Sequence, residues 1–158
     1  MTSRNQIFAL CHSQQYEEAL SHAIQWTEIE PENALAWSVR TFAHQGLGQY
    51  KDAFKSIDRA IDLANHDPAS FLQRGQLAFA QNQLNESASD FERAAMLAEK
   101  SGHAYKDPSV LSHAFVLAKL GLDQEAKERA ALCPDDTRCW VGEPIHAAQF
   151  KAELGVVH

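Results

Sequence analysis

The sequence predicts an all-α fold built from about four helix-turn-helix units, and three observations predict it. A bulky residue recurs every 34 positions, as Tyr16, Tyr50 and Leu84. A small residue follows each of these three places later, at Ala19, Ala53 and Ser87. A large aromatic opens the second and third units at the same interval, Trp37 and Phe71. A fixed period of this length marks stacked helix pairs, each too small to bury its apolar face without a neighbour.

The first unit is expected over about 3–31, with Ile7, Phe8, Leu10 and Cys11 on one helix and Ala19, Leu20, Ala23, Ile24 and Trp26 at helical spacing on the next. Pro31 falls where that second helix must stop, because proline cannot continue the hydrogen-bond ladder. The second unit, 34–67, carries Trp37, Ala43 and Gly48 ahead of Tyr50, Ala53, Ile57 and Ala60. Asp67-Pro68 then reads as an N-cap followed by a proline suited to the first helical position. The third unit, 68–101, repeats the design with Phe71, Arg74-Gly75, Leu84, Ser87, Phe91 and Ala94, and Gly102 is expected to end its long second helix. Ala126 follows Ser87 by 39 residues rather than 34, so five residues are inserted near Gly102–Lys106. Asp107-Pro108 repeats the cap-and-proline start, and the fourth unit runs over 107–134. Residues 135–158 leave the pattern. Pro144 is expected to open a last, capping helix with Ile145, Ala148, Gln149 and Ala152 along one side and Gly155 at its end.

These landmarks resemble the tetratricopeptide repeat family over about four fifths of the chain. The resemblance implies a right-handed α-solenoid whose first helices line a concave groove that takes an extended peptide or a helix. Arg74-Gly75 with Asp90-Phe91 looks like a familiar variant of the repeat, and an Arg74–Asp90 ion pair is expected; the alternative is that Arg40 and Arg74 hold an anionic ligand. With Trp37, Thr41 and His44 facing the paired helix, the groove positions are Leu35, Ser38, Phe42 and Gln45, and one period later Ala69, Leu72, Gln76 and Phe79. Phe8 and Cys11 join them from the first unit, and Leu111, Phe115 and Ala118 from the fourth. Four phenylalanines, Phe8, Phe42, Phe79 and Phe115, are thus expected near one surface, as at a partner site. Family members that clamp a chaperone's terminal carboxylate use Lys and Asn side chains, whereas Ser38, Phe42, Leu72 and Gln76 stand here, so an apolar peptide or amphipathic helix is the expected occupant. The chain's own last segment, or a second copy, is the alternative filling.

Composition bounds the rest. Of 158 residues, 45% are hydrophobic and 22% charged, as in a globular domain, and the net charge of −7 argues against a nucleic-acid partner. No apolar run approaches membrane-spanning length, and the N-terminus lacks a signal peptide's apolar segment. Three cysteines at irregular spacing form no disulfide framework, so a reducing cytoplasm is the expected home. The eight histidines are scattered without close metal-ligand pairs, and His44 and His113 are expected to be satisfied core residues. No phosphate loop, nucleophile elbow or acid/base pair is present, and neither cofactor nor catalysis is expected. The expected function is a non-enzymatic protein-interaction module, an adaptor, assembly factor or chaperone-like protein. Size and acidity also resemble a secretion-type chaperone, and an immunity protein falls in the same binding class. The rival from another class is a small thiol or metal protein using Cys133, Cys139 and His146.

Overall fold

The structure, a computed structural model, describes residues 4–156. Ser3, where the first unit is expected to begin, and Val157 and His158 at the end of the expected capping segment lie outside the described residues. Two compact bodies divide the chain at His66 and Asp67. The N-terminal body holds α1 (Arg4–His12), α2 (Tyr16–Ile29), α3 (Ala34–Gly46) and α4 (Tyr50–Leu63). The C-terminal body holds α5 (Pro68–Ala80), α6 (Leu84–Ser101), α7 (Lys106–Lys119), α8 (Asp123–Ala131), the strands β1 (Arg138–Trp140) and β2 (Pro144–His146), and α9 (Ala147–Leu154).

One turn, used four times, folds each chain segment back into a helix pair. Gln14, Gly48, Asn82 and Gly121 all take a left-handed backbone, with φ of 61°, 69°, 57° and 77°. The residue after each one donates its N–H to a carbonyl five residues back: Gln15 to Leu10 and Gln49 to His44 at 2.9 Å, Gln83 to Ala78 at 2.9 Å, and Leu122 to Leu117 at 3.0 Å. This is the Schellman closure, which satisfies a carbonyl left orphaned at a helix end. Helix starts are capped where the sequence supplies a short polar side chain. Asn33 Oδ1 accepts from the Leu35 N–H at 3.0 Å, and Asp67 Oδ1 accepts from the Ala69 N–H at 3.1 Å, with Pro68 at the first helical position. Asp107-Pro108 behaves differently. The helix begins at Lys106, one residue before the expected cap, and Asp107 sits inside its first turn, where a carboxylate is favoured by the helix dipole.

Small residues set how closely the helices pair. In the N-terminal body Ile7, Ala19, Ala23, Trp26, Ala36, Val39 and Ala43 form the buried cluster. A Cβ on Gly46 would lie 2.2 Å from the Tyr16 ring, so glycine is needed there. In the C-terminal body a Cβ on Gly75 would meet the Phe91 ring at 2.7 Å. Beside it the Ser87 hydroxyl donates to the Gly75 carbonyl at 2.8 Å, tying α6 to α5. The expected Arg74–Asp90 pair is bidentate, with Nε–Oδ2 at 2.9 Å and Nη2–Oδ1 at 2.8 Å. Arg40 has Ser56 where Arg74 has Asp90. Its guanidinium instead donates to Thr27 Oγ1 at 3.1 Å and to His44 Nε2 at 3.4 Å, and lies 5.2 Å from the Trp37 ring centroid.

The last segment departs from the expectation. Pro144 opens β2, not a helix, because Ile145 pairs with Cys139 in an antiparallel hairpin turned at Gly142, where φ is 71°. The final helix starts three residues later, at Ala147, and ends at Gly155 as expected. Its buried residues are Ala147, Phe150 and Lys151, while Ala148, Gln149 and Ala152 face outward. Phe150 sets this orientation by filling the core of the C-terminal body.

Candidate functional site

The expected groove residues fall into two sets, one in each body. In the N-terminal body α1 packs beside α3, which brings the Phe8 ring edge-on to Phe42 at 5.6 Å between centroids. Leu35 and Phe42 lie seven residues apart on the same stripe of α3, and each is 37% exposed. Ser38 and Gln45, between and beyond them, are half-buried. Behind this face the helix is held firmly. Thr41 is fully buried and donates to the Trp37 carbonyl at 3.0 Å, and the Trp37 Nε1–H donates to the Pro31 carbonyl at 2.8 Å. His44 accepts from Arg40 on Nε2, which leaves Nδ1 to donate to Gln49 Oε1 at 2.8 Å. The outcome is a mixed face of one leucine, two phenylalanine rings and two small polar groups on a rigid backing.

In the C-terminal body the equivalent face is covered. Phe79 and Phe115 meet at 5.9 Å, and Phe150 from α9 lies 5.7 Å from Phe115. Leu111 is fully buried and Phe115 is 6% exposed, so neither offers surface to a partner; Leu72 packs half-buried against the same cluster. The hairpin supplies the rest of the cover. Gln76 Nε2–H donates to the Trp140 carbonyl at 2.9 Å, Val141 is fully buried, and the Gly142 backbone comes so near that a Cβ there would lie 3.0 Å from the Phe79 ring. Lys151 fastens the segment from within, its ammonium donating to the Cys133 carbonyl at 2.5 Å and to Asp135 Oδ1 at 2.8 Å. The covering of this face by the chain's own last residues is set by Val141, Ile145 and Phe150, which carry no repeat landmark. The signal that could have revealed it is their apolar spacing around a glycine turn.

The thiols of this body are held in the protonated form. Burial pushes the Cys133 thiol up to about 12 and that of Cys139 up to about 11, the latter against a hydrogen bond with Ser112 that works the other way. Nucleophilic and redox thiols need the opposite shift, toward thiolate at neutral pH. Among the described residues no three His, Cys, Asp or Glu side chains converge to hold a metal ion, and no helix is long and apolar enough to cross a membrane.

Fold and site together define an α-helical repeat protein, with helix pairs joined by one recurrent left-handed turn and an open face on its first pairs. Relatives in sequence and structure agree. Human tetratricopeptide repeat protein 36 is 37% identical over 71 residues, 42% of this chain and 38% of that protein. DnaJ homolog subfamily C member 3 of Bos taurus is 30% identical over 79 residues, half of this chain but 16% of that protein. The chain thus spans well under half the length of the curated relatives it matches. The solved structure of Pseudomonas aeruginosa PilF superposes on 80% of the chain with a TM-score of 0.73 at 15% identity, covering 56% of PilF. That of YrrB, described as a TPR protein with an unusual peptide-binding site, does so on 80% with a TM-score of 0.64 at 20% identity, covering 63% of YrrB. No family model matches the chain. The chain has the helical-repeat fold of these structures and resembles tetratricopeptide repeat proteins in sequence over part of its length.

Proposed function

We propose that this chain is a non-enzymatic, cytoplasmic protein-interaction module that holds an apolar peptide or amphipathic helix of another protein against Phe8, Leu35 and Phe42. Ser38 and Gln45 flank those three side chains and supply hydrogen bonds to the ligand backbone. The observation that carries the reading is the pairing of exposed Leu35 and Phe42 on one stripe of α3, with the Phe8 ring against them. Ile29, Met96 and Leu132 are more exposed still, at 62%, 57% and 65%, but they belong to the second helices of their repeats or the ends of those helices. Scattered apolar residues of that kind are ordinary surface.

The chain supplies its own example of a suitable occupant. On the equivalent face of the C-terminal body lies an apolar segment, Val141, Ile145 and Phe150, with its backbone carbonyl at Trp140 accepting from a groove glutamine. Gln45 offers the same amide chemistry to a ligand on the N-terminal body. Binding would be favoured by preorganisation, since Thr41, Trp37 and His44 already fix α3 and little side-chain entropy is lost on docking.

The test is capture of a partner from native lysate by wild type beside a Leu35→Glu, Phe42→Glu variant, with helical circular dichroism confirming that the variant is folded. A direct titration follows with a peptide from the captured protein. The expected result is at least tenfold weaker binding by the folded variant. Equal binding by both would discard this face as the site.

A further inference from the structure

On α6, α7 and α8 a cavity of about 450 Å³ lies apart from the groove positions, lined by Glu92, His113, Leu117, Glu125, Glu128 and Arg129 among others. Its volume is within the usual range for a ligand pocket. Three carboxylates face one guanidinium there. Arg129 is engaged with Glu92 at 2.9 Å, and Glu128 accepts only a neutral amide hydrogen from Gln124 at 2.8 Å, so the α8 carboxylates Glu125 and Glu128 have no cation partner among the described residues. They sit three residues apart and share one side of the helix.

His113 supplies the second observation. Its side chain is 6% exposed and makes no hydrogen bond, and its Nδ1 is fully enclosed without a partner. With Nδ1 enclosed and His113 lining the cavity, Nε2 is the ring nitrogen left to serve a ligand there. Burial holds the imidazole below its ordinary pKa, so the ring is neutral near pH 7. The tautomer that avoids an enclosed, unpaired N–H carries its hydrogen on Nε2 and presents a donor to the cavity. The site therefore asks for a cation and an acceptor close together. A bare metal ion is a poor answer, since among the described residues no group of three ligands converges. A basic residue within a polypeptide has both features, a cationic side chain and its own backbone carbonyl.

We propose that this cavity binds a lysine or arginine residue of a partner polypeptide, with the cationic group between Glu125 and Glu128 and the backbone carbonyl accepting from His113 Nε2–H. It would give the protein a second recognition point, selective for charge, separate from the apolar face of the N-terminal body. The lysine and arginine sources share one chemistry, and free amines differ from both in lacking the acceptor.

The experiment is a titration of the full chain, followed through the His113 imidazole nitrogen and carbon-bound proton resonances by NMR. Three probes are used: acetyl-Gly-Lys-Gly-amide, the same peptide with norleucine for lysine, and spermidine. The lysine peptide is expected to shift the His113 resonances saturably, the norleucine peptide to bind at least tenfold more weakly, and spermidine to leave Nε2 unmoved. A Glu125→Gln, Glu128→Gln variant, whose changes lie on the surface and leave the core intact, is expected to lose at least tenfold in affinity for the lysine peptide. An unmoved His113 with the lysine peptide would overturn the proposal. So would equal binding of the norleucine peptide, or unchanged affinity in the double variant. Saturable movement of Nε2 by spermidine would equally reject it, reducing the site to a reader of charge.

Discussion

The first helices of the two bodies carry their expected groove residues in opposite states. On α3, Leu35 and Phe42 stand partly in solvent, with only Phe8 beside them. On α5 and α7, Phe79 and Phe115 pack against one another and against the cluster that holds Val141, Ile145 and Phe150. The helix pairs that present these faces are built alike, by the same turn and the same small residues. What differs is whether the chain itself supplies a cover. The repeat pattern therefore specifies the platform, and residues outside the pattern decide which part of it stays available.

The largest expected effect breaks the cover. Phe150→Ala removes a buried ring from the core of the C-terminal body and should cost about 3–5 kcal/mol, whereas Phe42→Ala on the open face should cost under about 1 kcal/mol. Urea denaturation of the two variants measures this contrast, and equal losses would mean that the two faces are not differently covered. Next comes the contrast of the two arginines. Asp90→Ala leaves Arg74 half-buried without its carboxylate and should cost about 2–3 kcal/mol. Ser56→Ala, at the equivalent position beside Arg40, should stay within about 1 kcal/mol.

Alkaline titration probes the buried thiols of the C-terminal body. Cys133 and Cys139 have folded-state pKa values raised to about 12 and about 11, so above pH 9 the unfolded chain loses protons that the folded chain keeps. Stability from each thiol is therefore complete below pH 9 and should fall by up to about 1.4 kcal/mol per pH unit above it, until the folded pKa is reached. Chemical denaturation at pH 8 and pH 10 measures the loss, and a Cys133→Ala variant should show a shallower slope. A pH-independent stability over that range would contradict the burial of these thiols. The smallest effect concerns the shared turn. Gln14 occupies the left-handed conformation that glycine holds at residue 48, so Gln14→Gly should raise stability and Gly48→Ala should lower it, each by about 1 kcal/mol. Thermal melts of the pair read out both signs.

Much of this architecture is legible in the residues themselves. The 34-residue interval between Tyr16, Tyr50 and Leu84 marks the start of three second helices, because the turn before each has a fixed length. Asn33 and Asp67 act locally on the N–H groups two residues on, so short-range chemistry suffices to read them, Asp67 and Pro68 from the sequence directly. The Arg74–Asp90 pair was readable because one helix pair contains both partners. Gln14 and Asn82 were harder to see, since neither is a glycine although both take its backbone.

The last segment was legible only in part. Pro144 and the spacing after it suit a helix start, yet Ile145 is drawn into a strand by its pairing with Cys139 and by burial in the C-terminal core. Three-residue strands hold little intrinsic preference, so long-range contacts decide them. The same reason limits the site. Periodicity places Leu111 and Phe115 on the helix face that also carries the groove positions, but it contains no information about what lies over that face. His113 is a related case: its inward position follows from spacing, while its missing hydrogen-bond partner follows from neighbours on α6 and α8.

The most direct test of the difference between the two faces is solvent paramagnetic relaxation of the phenylalanine ring protons, using a soluble, uncharged gadolinium chelate. Phe42 is expected to relax strongly, and Phe79, Phe115 and Phe150 weakly. Relaxation of Phe115 and Phe150 as strong as that of Phe42 would show the C-terminal face to be open, and would contradict its cover by the hairpin and α9.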